Sequence, residues 1–151
     1  MLPNKLYHGS SHLALAALMP GFMHSHKLVE WDGTENNHFL YATTDLQTAM
    51  DQAVASLLER KWSLIRFKSD GSKIDLWFDG KTLPTAEQLK KEKIWVYTVI
   101  PSARHHWVKV NNQQNNLDDE WKTREVIDFS SRQEVSVGDW LKGEHVTIHK
   151  A

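Results

Sequence analysis

Between residues 44 and 61 the apolar side chains Leu46, Ala49, Met50, Ala53, Val54, Leu57 and Leu58 recur at three- and four-residue spacing, with Asp51, Gln52, Ser56 and Glu59 between them. That period is helical and gathers the apolar groups on one stripe, so the segment has to pack as an amphipathic helix against a second layer. Thr44 followed three positions later by Gln47 has the form of a capping box, and Arg60 and Lys61 suit the negative end of the helix dipole. The run Ile94-Trp95-Val96-Tyr97-Thr98-Val99-Ile100 supplies the other layer. It is nearly continuous in β-branched and aromatic residues and ends at Pro101, which predicts an interior strand.

Around these two anchors the chain reads as helices early and strands late. A short helix is predicted from Ser11 to Met19, where Leu13, Ala14, Ala17 and Leu18 share a face and Pro20-Gly21 provides a stop. A second short helix, from Thr85 to Lys91, begins beside Pro84 and is mostly polar. Strands are predicted over 62–67, 73–78, 93–100, 106–110, 124–129 and 145–149. Asp70-Gly71 supplies the positive φ of a hairpin turn between the first two. The order implies an α+β fold rather than alternating βαβ units. Residues 24–38 and 111–116 lack periodicity and read as exposed loops.

The sequence has 151 residues, so a single domain spanning 1–151 with one core is expected. Hydrophobic residues at 40% and charged residues at 25% exclude the composition of a disordered chain. Lys plus Arg total 18 against 19 for Asp plus Glu, which leaves no global field to attract nucleic acid or an anionic membrane. There is no cysteine, and disulfides, thiolate metal sites and cysteine nucleophiles are excluded together. No window approaches the roughly 20 apolar residues of a membrane span, and the first residues carry no secretion-signal pattern. The expectation is a cytoplasmic monomer that does not engage a membrane.

Chemistry is concentrated near the start. Leu6-Tyr7-His8-Gly9-Ser10 reads as a short strand that ends in a glycine and enters a helix through a serine cap. Such a junction exposes backbone N–H groups with no side chain in the way, and an imidazole beside it can bond a ribose hydroxyl. The plain alternative is a strand end with a partly exposed His and a serine N-cap. Phe39-Leu40-Tyr41-Ala42-Thr43-Thr44-Asp45 follows as a second strand leading straight into the strong helix, and later strands carry glutamates.

This order of Tyr-His-Gly-Ser, helix, loop, Leu-Tyr-Ala-Thr, helix and late glutamate resembles the ADP-ribosyltransferase superfamily. The closer likeness is to its His-Tyr-Glu branch and to small prokaryotic and phage proteins that begin with Tyr-His-Gly-Ser. The resemblance covers residues 5 to 60 and reaches the C-terminal half through strand content and one acidic segment. It implies a split β-sandwich with N-terminal helices flanking the sheets and NAD held as substrate in the cleft. It further implies that His8 bonds a ribose hydroxyl, that Gly9 offers its backbone to the nicotinamide carboxamide, and that Tyr41 walls off the nicotinamide ring. Tyr7, Ser10 and Thr43 complete the NAD-binding set. The resemblance implies transfer of ADP-ribose to a macromolecular acceptor, protein or nucleic acid, or hydrolysis of NAD.

Breaking the nicotinamide glycosidic bond develops positive charge on the ribose, which a carboxylate stabilises, and an aromatic face suits the pyridinium cation. Within Asp119-Glu120-Trp121-Lys122-Thr123, Glu120 is the best match to that carboxylate, with Glu125 second. Two other readings stay open. One is a nucleic-acid-acting enzyme or nucleic-acid-binding protein of the same fold, using Arg66, Arg104 and Arg124. The other is a binding module that has lost chemistry, since Met50, Asp51 and Gln52 stand where relatives place a second aromatic. His24, His26, His38 and the pair His105-His106 lack a carboxylate or histidine at ligand spacing, so no metal site is expected. Of the seven tryptophans, those at 62, 77, 95, 107 and 121 fall in predicted strands or at their edges. They are read as core unless they lie beside cations, as in Arg104 to Lys109.

Overall fold

The computed structural model describes residues 1–13, 16–20, 39–110 and 120–151. In chain order the elements are β1 (Leu6–Ser10), β2 (Leu40–Thr43), α1 (Leu46–Trp62), β3 (Leu64–Ser69), β4 (Lys73–Phe78) and α2 (Ala86–Lys91). They continue with β5 (Lys93–Val99), β6 (Val108–Lys109), β7 (Glu120–Thr123), β8 (Ser131–Ser136), α3 (Val137–Leu141) and β9 (His145–Lys150). The strands form a six-stranded sheet in the order β6-β7-β2-β1-β5-β8 and a three-stranded sheet in the order β3-β4-β9. The fold is therefore α+β, and the apolar run at 94–100 occupies an interior place in the larger sheet, as its composition requires. No helix among the described residues is long and apolar enough to cross a membrane.

The chain divides into two compact units. One holds the described residues of 1–8, 14–49 and 97–132, the other those of 9–13, 50–96 and 133–151. In the second unit α1 turns Ala53, Val54, Leu57 and Leu58 inward. Alternation along β4 buries Ile74, Leu76 and Phe78 and leaves Asp75 and Trp77 on the other face. Leu58 and Phe78 are fully buried, and burial of side chains of this size stabilises by about 1.5–3 kcal/mol each. Val137, Trp140 and Leu141 of α3 join the same core. Antiparallel β3 and β4 meet through the Asp70-Gly71 turn, with Gly71 at φ 90°. The Asp70 carboxylate accepts from the N–H groups of Ser72 and Lys73 at 3.0 and 2.9 Å, and β9 pairs parallel to β4.

In the first unit Leu6, Leu40, Ala42, Tyr97, Val99, Trp107, Trp121 and Ile127 are buried. β2 and β7 run antiparallel with four aligned pairs.

Several expectations are corrected. No described residue of 11–19 is helical. Leu18 instead exchanges two backbone hydrogen bonds of 2.8 Å with Ile127, and a two-turn segment has too few intrahelical bonds to resist that competition. Ser10 is consequently not a helix cap: it closes β1, and its hydroxyl accepts from the N–H of His12 at 3.0 Å. The cap of α1 sits at Asp45, one residue later than the Thr44–Gln47 box implies. Its carboxylate accepts from the N–H of Thr48 at 2.8 Å, and its carbonyl receives the N–H of Ala49. Helix α1 runs on through Trp62, so the predicted strand at 62–67 begins only at Leu64.

The predicted strand at 124–129 is a bend with one bridge at Ile127, because Arg124-Glu125 and Val126-Ile127 fall in like pairs and lack the period-two alternation of a half-buried strand. Strand character falls instead on β7 and β8. The strand predicted over 106–110 shrinks to Val108–Lys109, since His106 takes a left-handed conformation at φ 54°. By contrast, α2 forms where it was predicted, and the structure adds a Thr85–Gln88 capping box at its start. The loops at 24–38 and 111–116, with His24, His26, His38 and Asp119, lie outside the described residues.

Candidate functional site

The first unit brings most of the singled-out residues onto neighbouring strands. Tyr7 of β1 pairs with Thr43 of β2, and Thr43 pairs with Glu120 of β7. Tyr7, Thr43 and Glu120 thus form one row across three strands drawn from distant parts of the chain. Residues directly opposite one another leave a sheet by the same face, and residues two apart along a strand share that face. Tyr41 therefore joins the row's face, with Lys122 as its cross-strand partner.

Burial separates the two faces. Leu40, Ala42, Trp121 and Thr123 are buried, whereas Tyr41, Glu120 and Lys122 are partly exposed. Thr43 is the exception: it is fully buried, and its hydroxyl accepts from the N–H of Asp45 at 3.2 Å. It ties the end of β2 to the turn that starts α1.

His8 follows Tyr7 and leaves β1 by the opposite face. Its Nδ1 lies 2.6 Å from the backbone oxygen of Tyr41. A carbonyl oxygen only accepts, so Nδ1 carries the proton and the neutral ring keeps its lone pair on Nε2. The imidazole centroid is 6.3 Å from that of Tyr97, which itself lies 4.9 Å from Phe129. A backbone bond and an aromatic neighbour together hold the ring in one orientation. His8 thus meets Tyr41 through the main chain, not ring to ring. Gly9 and Ser10, the remaining members of the motif, belong to the second unit.

Glu125, the second choice of carboxylate, lies in the bend after β7 with its side chain 49% exposed and 3.4 Å from His106 Nδ1. It is absent from the row that holds Glu120. Among the described residues no cluster of three or more potential metal ligands exists.

One feature of the face was not anticipated. The Lys122 ammonium lies 4.2 Å, and the Arg124 guanidinium 4.9 Å, from the Phe39 ring centroid. Phe39 in turn meets Tyr41 edge to face at 6.2 Å. The signal was present as cations two positions apart in 122–124 and aromatics two positions apart in 39–41, but only the β2–β7 register sets one against the other. Trp107 is buried, so the stretch from Arg104 to Lys109 does not present its indole for stacking. The face offers one carboxylate, two cations and three aromatic rings, a set suited to a ligand that carries both a flat ring and negative charge.

Comparison with protein-family models, with curated proteins and with solved structures gives no significant match.

Proposed function

We propose that the protein binds NAD and breaks its nicotinamide glycosidic bond, passing ADP-ribose to an acceptor or to water, on a split β-sandwich of the ADP-ribosyltransferase type. The observation that supports this reading is the Tyr7–Thr43–Glu120 row with Tyr41 on the same face. In the proposed chemistry the bond between ribose C1′ and the pyridinium nitrogen breaks, and its electron pair leaves with nicotinamide. Glu120 stabilises the positive charge that develops at C1′. The acceptor, or water, then bonds C1′ and releases a proton. Tyr41 covers the nicotinamide ring, while His8, on the other face of β1, positions the Tyr41 backbone through Nδ1. Tyr7 and Thr43 support the row.

The test is nicotinamide release from NAD by the purified protein, alone and with cell lysate, in wild type, His8→Ala and Glu120→Gln. Loss of one electrostatic stabiliser is expected to lower the rate by about 10²–10³. Release that persists unchanged in Glu120→Gln removes Glu120 from the mechanism. NAD binding without turnover in wild type identifies a binding module in place of an enzyme.

A second reading, with nucleic acid as acceptor or ligand, is favoured by Lys122 and Arg124 over Phe39. It predicts salt-dependent oligonucleotide binding that weakens in Lys122→Ala and Arg124→Ala. An absence of binding at low salt eliminates it.

A further inference from the structure

The second unit contains a cavity of ≈ 320 Å³ lined by four cations, Arg60, Lys61, Lys91 and Lys93, and one carboxylate, Glu92, together with Ser11, Trp95 and the apolar Leu57. Its position follows from the local folds. Both α1 and α2 end in basic residues, Arg60-Lys61 and Lys90-Lys91, the usual complement to the negative end of a helix dipole. The two C-terminal turns end beside the first residues of β5, so four cations surround one hollow.

Two of these charges are compensated. Lys61 pairs with Glu92, and Lys93 lies 3.3 Å from Glu134. Among the described residues Arg60 and Lys91 form neither an ion pair nor a side-chain hydrogen bond. Cations gathered at a concave surface repel one another, and a bound anion relieves that repulsion. The other walls are chemically distinct: Ser11 is buried, with 6% exposure, and brings a hydroxyl to the cavity, while Trp95 is half-buried and brings an indole. A volume near 300 Å³ is at the lower end of small-ligand sites.

We propose that this cavity binds a phosphate ester of mononucleotide size. The phosphate engages Arg60 and Lys91, Ser11 donates a hydrogen bond to it, and the ring of the ester lies against Trp95. The site is independent of the strand row in the first unit and of the NAD reading built on it.

Calorimetric titration of the whole protein with AMP, inorganic phosphate and adenosine tests the proposal. Saturable AMP binding is expected with a Kd below about 1 mM, a free energy near −4 kcal/mol. Replacing both charge-assisted partners in the double variant Arg60→Ala, Lys91→Ala is expected to weaken it at least about tenfold. Raising the salt from about 0.05 to about 0.5 M weakens it in the same direction. Inorganic phosphate binds more weakly than AMP but responds to the same double variant, and Trp95→Phe removes any AMP-dependent change in tryptophan fluorescence.

Both substituted positions are exposed, so the variants should fold; should the double variant melt early, Lys91→Gln alone carries the comparison. AMP that fails to saturate at about 10 mM overturns the proposal. So does binding unaffected by the charge removals, or adenosine binding as tightly as AMP.

Discussion

Removing the indole N–H of Trp140 tests how α3 is held. This helix has five residues, Val137–Leu141, far fewer than the 12 or so at which an isolated helix becomes even marginal. Contacts made elsewhere must therefore hold it. One is the hydrogen bond from Trp140 Nε1 to the Asp51 carboxylate on α1, 2.8 Å long. Another is the edge-to-face contact of Trp140 with Phe67 at 6.0 Å and 76°. In Trp140→Phe the carboxylate loses a donor, and a hydrogen bond to a charged group is worth about 1.5–3 kcal/mol. The smaller ring buries roughly 40 Å² less apolar surface, which at about 25 cal/mol per Å² adds about 1 kcal/mol.

The sum is about 2.5–4 kcal/mol, or a fall in Tm of roughly 5–15 °C for a chain of this length. Asp51→Asn keeps an acceptor oxygen but gives up the charge, so about half of the bond remains and the loss is near 1 kcal/mol. Urea midpoints at constant m-value measure each change. A double-mutant cycle between Trp140→Phe and Asp51→Ala isolates the pair, with an expected coupling of about 1–2 kcal/mol. Coupling below about 0.5 kcal/mol would refute the reasoning, because packing alone would then hold α3 in place.

Three further outcomes are expected. Asp45→Ala removes the side-chain cap of α1 and should cost about 1 kcal/mol in denaturant unfolding; no loss would mean that the helix is capped elsewhere. Gly80→Ala sets a Cβ 2.7 Å from the backbone oxygen of Trp62. Trp62 closes α1 and Gly80 follows β4, so the new Cβ meets backbone and a loss of about 1–3 kcal/mol is expected, and wild-type stability would show that the backbone yields. Asp70 accepts from the N–H groups of Ser72 and Lys73, which holds its carboxyl below the ordinary aspartate value, at about 2. A depressed folded-state value contributes stability above the unfolded value and loses it as the pH falls. The stability difference between wild type and Asp70→Asn, present at neutral pH, should therefore close as the pH drops through about 2. A difference that stays constant with pH would rule out this role for the turn carboxylate.

Local chemistry was strong enough to be read without a partner where a period, a cap or a turn residue acts within a few positions. The stripe from Leu46 to Leu58, the helix from Thr85 to Lys91, the Asp70-Gly71 turn and strand β4 all arise this way, because each depends on backbone geometry and on side chains no more than a few residues apart. The α+β class follows from their order.

Tertiary structure decided the rest. Leu18 carries the same apolar side chain in a helix or in a bridge, and only pairing with the distant Ile127 selects the bridge. Val137 to Leu141 is too short to signal a helix until Asp51 and the apolar core hold it. Tyr7, Tyr41 and Glu120 were identifiable singly by residue type. That Tyr7, Thr43 and Glu120 share a row, and that Lys122 and Arg124 lie over Phe39, depends on strand register. Register is set by pairing between distant segments, and a shift of one residue moves every side chain to the other face.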